Sequence, residues 1–307
     1  MTYPIIEVPE GVSSQLEQLG TKSKFWYRDE NDKQVMFKRG RPGTGENWAE
    51  KVCCEICRLL GLPHAEYDFA SANAGNWKGV VSPTFVPKGS RLILGNELLA
   101  SVEPGYEKTK RYRTRQHTLG RVHVVLTRFP IALPLGHQPP ETGEMKKAFH
   151  VFTGYLLLDA LVSNQDRHHE NWGLIVTPDT HLFLAPTFDH ASSLGRNETD
   201  ERRLERLGTR DEGYSVQSYI RRAESALYPG TTSQKPYTTI GAFENAAKHC
   251  PSAARYWSDK LSLCSGKDFE EIFDNIPESE ITEPAGLFAL KMLELNAERL
   301  GNLEILK

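Results

Sequence analysis

The feature of this sequence that most constrains its fold is a long apolar helix that runs directly into a polar loop. The apolar residues between positions 144 and 162 recur at helical spacing and predict the helix. The polar loop spans residues 163 to 173, and two strand-like runs follow it at residues 174 to 176 and 181 to 185. A hairpin formed by these runs returns the chain to the loop, so we expect polar side chains from both places to converge.

The part of the chain that precedes this helix has a mixed strand and helix pattern. Gly61 and Pro63 are stop signals for a helix. The pattern predicts two strands of a hairpin, then that helix, then two further strands, at residues 23 to 27, 33 to 39, 47 to 60, 65 to 70 and 77 to 85.

The rest of the chain is mainly helical. Pro83, Pro87, Lys88 and Gly89 mark a hinge, and residues 118 to 127 fit a helix or a strand. Apolar residues at helical spacing predict five more helices, at residues 216 to 227, 240 to 249, 253 to 263, 267 to 275 and 288 to 300.

These patterns predict an α+β fold of two lobes. The N-lobe comprises residues 1 to 86 and holds a small mixed β-sheet with one helix. The C-lobe comprises residues 87 to 307 and is larger and mainly helical. Clefts between such lobes are favoured ligand sites.

Composition and charge limit the class of protein. The chain has 307 residues, of which 39% are apolar and 25% charged, as in an ordinary globular protein. The net charge of −3 argues against direct binding of nucleic acid by this chain. The sequence shows neither a signal-peptide pattern nor an apolar run long enough to span a bilayer. We therefore expect a cytoplasmic protein that does not bind a membrane.

The five cysteines, an odd number, do not indicate a disulfide framework. Cys54 and Cys57 form a CxxC pair directly after Cys53, but Cys250 and Cys264 lack the spacing that a second zinc-binding pair needs. The segment around the CxxC pair has the apolar spacing of an amphipathic helix. We expect its thiols to lie in the core.

Three oxygen-bearing side chains lie on the predicted loop and at the end of the predicted hairpin. Asp166 and Asn171 lie five positions apart on the loop, and Asp189 follows the returning strand. Mg²⁺ prefers oxygen ligands and usually takes one or two from protein. Asn171 and Asp189 can supply these, which leaves Asp166 to orient or deprotonate an attacking hydroxyl. The pattern fits phosphoryl transfer, which depends on positioning and charge neutralisation.

A second half of this site is expected from the N-lobe. Lys38 ends the second predicted strand, where its ammonium can reach phosphates. Glu50 lies early on the helix that follows and can pair with Lys38 to fix its position. A strand lysine paired with a helix glutamate is the arrangement of protein kinases.

Other interpretations of these residues stay open. Asp166 can instead cap the hairpin or pair with Arg167, and an Asp-x4-Asn spacing alone is weak. His168, His169 and His190 suggest either a metal cluster or structural hydrogen bonding. The basic run at residues 108 to 115 indicates a solvated loop, or a docking patch for an acidic partner or for phosphate.

In these motifs the chain resembles the HipA-like serine/threonine kinases, especially compact members that lack an extra N-terminal subdomain. Residues 19 to 24 resemble the phosphate-covering loop, and Phe37-Lys38 the lysine strand. Residues 164 to 171 match the catalytic loop, and residues 186 to 189 match the segment with the metal-binding aspartate. The resemblance implies a protein-kinase-like fold, catalytic roles for Asp166, Lys38 and Glu50, Mg²⁺ ligands at Asn171 and Asp189, and ATP contacts from Lys38, Gly20, Thr21, Lys22, Ser23 and His168.

The resemblance also implies an activity and partners. It implies phosphorylation of a protein serine or threonine with ATP and Mg²⁺. Many relatives are toxins held by a helix-turn-helix antitoxin, whereas others act alone. The motif of Asp166, Arg167, His168 and Asn171 is also similar to that of phosphatidylinositol kinases. A lipid kinase and a nucleotide-binding regulator that acts through a helix-turn-helix partner therefore stay open as alternatives.

The sequence departs from the toxin-type relatives at one place. Those relatives carry a serine before the glycine of the first loop, and its autophosphorylation silences the kinase. Here Gln18 and Leu19 precede Gly20, although Thr21 and Ser23 lie close by. Further along, the charged stretch 196 to 212 is expected to be a surface loop or a substrate-facing segment.

Overall fold

The computed structural model describes residues 2–11, 24–138 and 145–306 of the 307. Its first layer is a mixed five-stranded sheet in the order β1-β4-β5-β3-β2, in which only the β1–β4 pair is parallel. The strands are β1 (Ile5–Glu7), β2 (Lys24–Arg28), β3 (Gln34–Arg39), β4 (Asp68–Ala72) and β5 (Trp77–Pro83).

The alternation of side chains along β3 decides which residues face the rest of the molecule. Val35 and Phe37 are buried in a small apolar cluster on one face of the sheet. Because successive strand residues point to opposite faces, Met36 and Lys38 project from the other face. Both residues line a large cavity there. The period of the strand therefore places the lysine toward that cavity.

The helix that follows this hairpin packs its buried side against the main core. Helix α1 spans Glu46–Leu60 and ends at Gly61, whose φ of 69° is the left-handed conformation that favours glycine. Ala49, Val52 and Ile56 belong to the core on this side. Glu50 lies one residue after Ala49 and is buried with them.

The remaining chain forms a helical body with a second sheet. This four-stranded sheet has the order β6-β8-β9-β7, with β6 at Arg91–Leu94, β7 at Ile131–Ala132, β8 at Gly173–Val176 and β9 at Leu182–Leu184. The helices are α2 (Gly95–Val102), α3 (Leu119–Arg128), α4 (Ala148–Leu161), α5 (Asp200–Gly208), α6 (Val216–Arg221), α7 (Thr239–His249), α8 (Pro251–Ser262), α9 (Gly266–Asp274) and α10 (Glu283–Gly301), and a short 3₁₀ turn follows at Glu304–Leu306.

Helix α4 is the centre of this body. Every residue of α4 is buried except His150, which is partly exposed. A helix that is apolar on all sides belongs in a core, and α3, α7, α8 and α10 all pack around it. None of the helices in the described ranges has the length and apolarity that a membrane crossing requires.

The α+β fold expected from the sequence is confirmed, with differences in detail. The helix predicted at residues 216 to 227 ends at Arg221, and residues 118 to 127 form a helix rather than a strand. The charged stretch 196 to 212 is not simply a loop, because it contains α5. Thr199 caps the N-terminus of α5, and Arg203 is buried and donates to the carbonyl oxygen of Gly195.

A buried ion pair joins α4 to the polar loop that follows it. Arg167 is fully buried and donates through Nε and Nη2 to the two carboxylate oxygens of Asp159, at 2.8 and 2.7 Å. Arg167 also donates to the carbonyl oxygen of Asn171, at 2.8 Å. Asn164 donates to the same carboxylate, at 2.8 Å. Asp159 therefore anchors the loop to α4 through two of its side chains, Asn164 and Arg167.

We predict that Arg167→Met destabilises the protein by about 3–5 kcal/mol, because it leaves the Asp159 carboxylate buried without its partner. Urea unfolding followed by circular dichroism measures the effect. Lys291→Met is the matched control. Its ion pair with Glu294 is exposed, so its loss should change the free energy of unfolding by less than about 1 kcal/mol. Equal effects of both substitutions would contradict the anchoring role.

Candidate active site

The loop between α4 and β8 is held in a fixed shape by its own hydrogen bonds. The Asp166 N–H donates to Oδ1 of Asn164, at 3.1 Å. Asn171 is buried, and its Nδ2 donates to the carbonyl oxygen of Asp166, at 2.7 Å. This bond fixes the orientation of the Asn171 amide, so its Oδ1 is the atom that it can offer to a metal ion.

Asp189 lies just after β9 in a left-handed backbone conformation. Its φ is 58°, which asparagine and aspartate adopt more readily than other non-glycine residues. The Asp189 N–H donates to the hydroxyl of Tyr67, at 3.2 Å. The Asp189 side chain is 34% exposed, and its Oδ1 lies 2.6 Å from Nζ of Lys38. The return of the hairpin thus brings this carboxylate to Lys38 on β3.

Lys38 is buried between two carboxylates. Its Nζ lies 2.5 Å from Oε1 of Glu50 and 2.6 Å from Oδ1 of Asp189. Oε2 of Glu50 accepts from the N–H of His190, at 2.8 Å. Burial alone would lower the pKa of Lys38, but Asp189 and Glu50 together raise it well above its usual value. Lys38 therefore stays protonated and joins β3, α1 and the segment after β9.

The Asp166 carboxylate has polar neighbours on both sides. Oγ of Ser192 donates to its Oδ2, at 3.4 Å, and Ser192 accepts from Arg196, at 3.1 Å. Nε2 of His168 lies 3.6 Å from Oδ1 of Asp166. Arg196 also pairs with Glu46 at the start of α1. A chain of contacts therefore runs from Asp166 to the start of α1.

These groups surround a cavity of about 570 Å³, a size usual for small-molecule sites. Its wall combines polar and apolar side chains. The polar ones include Lys38, Asp166, Asn171 and Asp189. The aromatic and aliphatic ones include Trp26, Met36, Tyr67, Phe85, Leu92, Leu94 and Phe188, of which Phe85 and Phe188 stack with ring centroids 5.5 Å apart.

Of the six predicted site residues that the structure describes, four line this cavity: Lys38, Asp166, Asn171 and Asp189. Glu50 lies behind Lys38 and contacts it, without being part of the wall that the described residues form. His168 is also buried behind the wall, and its Nδ1 accepts from the N–H of Glu170, at 3.1 Å. Its geometry gives no support to an ATP contact. Gly20, Thr21, Lys22 and Ser23 lie outside the described residues.

The three histidines His168, His169 and His190 form hydrogen bonds with different partners. Nδ1 of His169 bonds to the Tyr106 hydroxyl at 2.8 Å, and Nε2 of His190 to the Thr187 hydroxyl at 2.7 Å. Burial lowers the pKa of His168 to about 3 and that of His169 to about 4. Within the described residues these histidines form no metal-binding group. The structural role is the one that their geometry supports.

The oxygen atoms that Asn171 and Asp189 offer to the cavity fit a magnesium ion. Asp189 offers a carboxylate that is partly exposed, and Asn171 offers an amide oxygen on the same cavity. Oxygen donors of this kind, one or two per ion, are those that Mg²⁺ takes from protein. Lys38 supplies the adjoining positive charge that phosphate oxygens require.

The sequence patterns did not mark the apolar side chains of the cavity wall or Ser192 as site residues. Trp26 and Met36 lie on the predicted hairpin, and their alternation with buried residues was a usable signal. Phe85 and Phe188 come from distant parts of the chain and meet only in the folded protein. Ser192 follows Asp189 by three residues, and nothing in its spacing marks it.

Solved structures share the fold of this chain. No protein-family model matches the chain, and no curated protein matches it significantly. The structure is similar to that of the Helicobacter pylori proinflammatory kinase CtkA, with 20% sequence identity and a TM-score of 0.66 over 97% of this chain and 98% of that one. The chain has the HipA-like kinase fold. It is also similar to HipA of a Shewanella oneidensis MR-1 toxin–antitoxin system, solved with HipB and operator DNA.

The likeness to that HipA has 11% identity and a TM-score of 0.58, over 97% of this chain and 70% of that one. Identities this low establish the fold alone. The resemblance inferred from the motifs is therefore confirmed as a shared fold, with a small sheet beside a larger helical body.

A buried histidine beside the loop makes stability depend on pH. Nε2 of His117 accepts from Trp172, and its Nδ1 donates to the carbonyl oxygen of Ala226, each at 3.1 Å. Burial, with a smaller contribution from His169, lowers the pKa of His117 to about 3. The unfolded chain therefore binds this proton more tightly than the folded protein does. Stability is fully present above about pH 6.5 and is lost as the pH falls toward 3.

We predict that His117→Gln makes the stability of the protein less dependent on pH, because unfolding of the variant takes up about one proton fewer at mildly acidic pH. Between pH 7.5 and 5, the wild type should lose about 2 kcal/mol more of its unfolding free energy than the variant does, at about 1.4 kcal/mol per pH unit below 6.5. Urea unfolding at each pH measures this difference. His181→Gln is the control, because this side chain is 70% exposed. An unchanged pH dependence in His117→Gln would contradict a neutral His117.

Proposed function

We propose that the protein is a kinase that transfers the γ-phosphate of ATP, with Mg²⁺, to a serine or threonine of a protein. The observation that carries the proposal is the position of Lys38. It is held by Glu50 from behind and by Asp189 from across the cavity, at 2.5 and 2.6 Å. Asp166 and Asn171 lie on the same wall. Phosphoryl transfer requires this combination of one cation, two metal ligands and one base.

The side chains of the cavity wall suggest which parts of ATP they would hold. The aromatic and aliphatic side chains, which include Trp26, Met36 and Phe85, suit a purine ring. Lys38 suits the phosphates. A bound Mg²⁺ would supply charge neutralisation at the phosphates, held by Asn171 and Asp189. Residues 20 to 23 keep their predicted role as a phosphate-covering loop, which their sequence alone supports.

Asp166 is proposed as the group that orients the acceptor hydroxyl and takes its proton. Ser192 and the backbone bond to Asn164 hold it at the cavity wall. Its side chain is 27% exposed, so an acceptor can approach it. Glu50 is proposed as a positioning residue, because it touches Lys38 and lies away from the wall.

We also propose that residues 1 to 86 and 87 to 307 act as two lobes. Cavity residues come from both ranges, with Lys38 in the first and Asp166 in the second. This division is supported by the position of the cavity between them. The proposed location is the cytoplasm.

We predict that Asp166→Asn lowers the rate of phosphate transfer from labelled ATP by about 10²–10⁴-fold, which is the usual contribution of a general base. ATP affinity should stay within about threefold of wild type. Asp179→Asn is the control, because Asp179 lies on the exposed β8–β9 turn. A fully active Asp166→Asn variant would show that the base is elsewhere.

Lys38→Met is expected to act differently from Asp166→Asn. It removes the cation between two carboxylates, so ATP should bind at least tenfold more weakly while transfer falls by more than about 10²-fold. Isothermal titration with a non-hydrolysable ATP analogue separates the two effects. Thermal unfolding of the variant checks that the loss of the buried charge has not unfolded the protein. Undiminished nucleotide affinity would contradict the role of Lys38.

We also propose a protein as the acceptor and a helix-turn-helix protein as the partner. HipA, a structural neighbour, occurs with HipB and operator DNA, which supports testing for an antitoxin-type helix-turn-helix partner. Phosphoproteomes of cells that express wild type or Asp166→Asn identify protein acceptors. Transfer to phosphatidylinositol vesicles but to no protein would favour a lipid kinase. Nucleotide binding without any transfer would favour a regulator.

A further inference from the structure

A cysteine, a histidine and a glutamate meet outside the cavity, where α1 lies against the segment that leads into β4. They are Cys54, His64 and Glu66, and one potential ligand atom from each lies within 4.8 Å of the others. Gly61 reverses the chain at the end of α1. This reversal returns residues 64 and 66 to the side of the helix that carries Cys54. Thiolate, imidazole and carboxylate are the three side-chain ligands that zinc takes.

The imidazole of His64 is oriented as a ligand. Its Nδ1 lies 2.7 Å from the carbonyl oxygen of Leu62. A carbonyl only accepts, so Nδ1 carries a hydrogen, and in the neutral ring Nε2 then carries a lone pair. Nε2 is buried and has no hydrogen-bond partner among the described residues. A metal-bound histidine usually donates its other ring nitrogen to a carbonyl or carboxylate in this way.

The unpaired nitrogen faces another acceptor. Nε2 of His64 lies 3.4 Å from Oε1 of Glu66, and the His64 side chain is only 10% exposed. A neutral imidazole nitrogen and a carboxylate oxygen offer two lone pairs and no hydrogen. A cation between them satisfies both atoms. The buried thiol of Cys54 adds a third donor on the same side, 3.6 Å from Oε2 of Glu66.

The separation between Nε2 of His64 and Oε1 of Glu66, 3.4 Å, matches that around a tetrahedral zinc ion. Zinc distances of about 2.0–2.2 Å to nitrogen and oxygen place two such ligand atoms about 3.4 Å apart. Oε2 of Glu66 also contacts Arg58. Oε1 is therefore the oxygen for the metal, and Arg58 orients the carboxylate as an outer partner.

We propose that Cys54, His64 and Glu66 bind one zinc ion, with water as the fourth ligand. The CxxC partner Cys57 is not one of the three residues whose ligand atoms converge, and it packs in the main core. The site is independent of the proposed kinase activity.

The position of this zinc site gives it a structural role. The Ala65 N–H donates to the carbonyl oxygen of Thr187, and the Thr187 N–H donates to that of Pro63, each at 2.9 Å. Residues 63 to 67 thus pair with the segment that carries Asp189. Zinc held by His64 and Glu66 would fasten this segment to α1 through Cys54.

Metal titration of the chelator-treated, tag-free full chain tests the proposal. Cobalt(II), as a spectroscopic substitute, should give a thiolate-to-metal charge-transfer band that saturates at one equivalent and disappears when zinc is added. A cysteine binds zinc as a thiolate, so zinc binding should release the proton of the Cys54 thiol, which unbuffered titration detects.

Two variants and one matched control decide the outcome. Cys54→Ser should abolish the cobalt band, and Glu66→Gln should weaken zinc binding by about 100-fold or more. Cys57→Ala, three residues along the same helix, should bind zinc like the wild type. Glu66 is 49% exposed, so its variant decides the matter if Cys54→Ser does not fold. Absence of the band in the wild type, or wild-type zinc affinity in Glu66→Gln, overturns the proposal.

Discussion

The placement of Lys38 between Glu50 and Asp189 is the interaction on which the arrangement of the cavity depends. A buried ammonium without a partner is strongly unfavourable, so the two carboxylates and the lysine must arrive together. They come from a strand, a helix and the segment after a second sheet. The pairing therefore fixes the five-stranded sheet against the helical body at the point where the proposed chemistry occurs.

The loop that carries Asp166 is stabilised from below, and its surroundings hold backbone strain. Ser163, Asp189 and Leu194 all have φ between 53° and 58°, which costs about 1–3 kcal/mol for each non-glycine residue. Asn296 of α10 donates to the Ser163 hydroxyl and to the carbonyl oxygen of Leu161, at 2.9 Å each. The core around α4 compensates for this strain. Such conformations persist where a structure holds its functional groups in place.

The cavity and the proposed zinc site share one segment of backbone. Residues 63 to 67 pair with Thr187, and Tyr67 accepts from the Asp189 N–H while it lines the cavity. The carboxylate that approaches Lys38 is therefore supported by the same residues that bring His64 and Glu66 toward Cys54. Its position depends on packing behind the site as well as on the charges within it.

The sequence by itself determined the chemistry-bearing residues that follow local rules. The period of β3 put Lys38 on the face opposite Phe37, and the order of helix, loop and hairpin brought Asp166, Asn171 and Asp189 together. These features depend on neighbours in the chain. The resemblance in these motifs then indicated the fold that the structural comparison confirms.

Only the tertiary structure decided what depends on distant partners. Strand β1 pairs with β4, with Ile5 opposite Phe69, and β6 pairs with β8, with Leu94 opposite Gly173. Strands this short carry little pattern of their own, because their stability comes from the partner strand. Helix α5 was missed for a different reason, since Leu204 and Leu207 are its only apolar side chains among many charged ones. The stacking of Phe85 on Phe188 and the approach of His64 to Cys54 likewise arise from packing, which the spacing of residues along the chain does not encode.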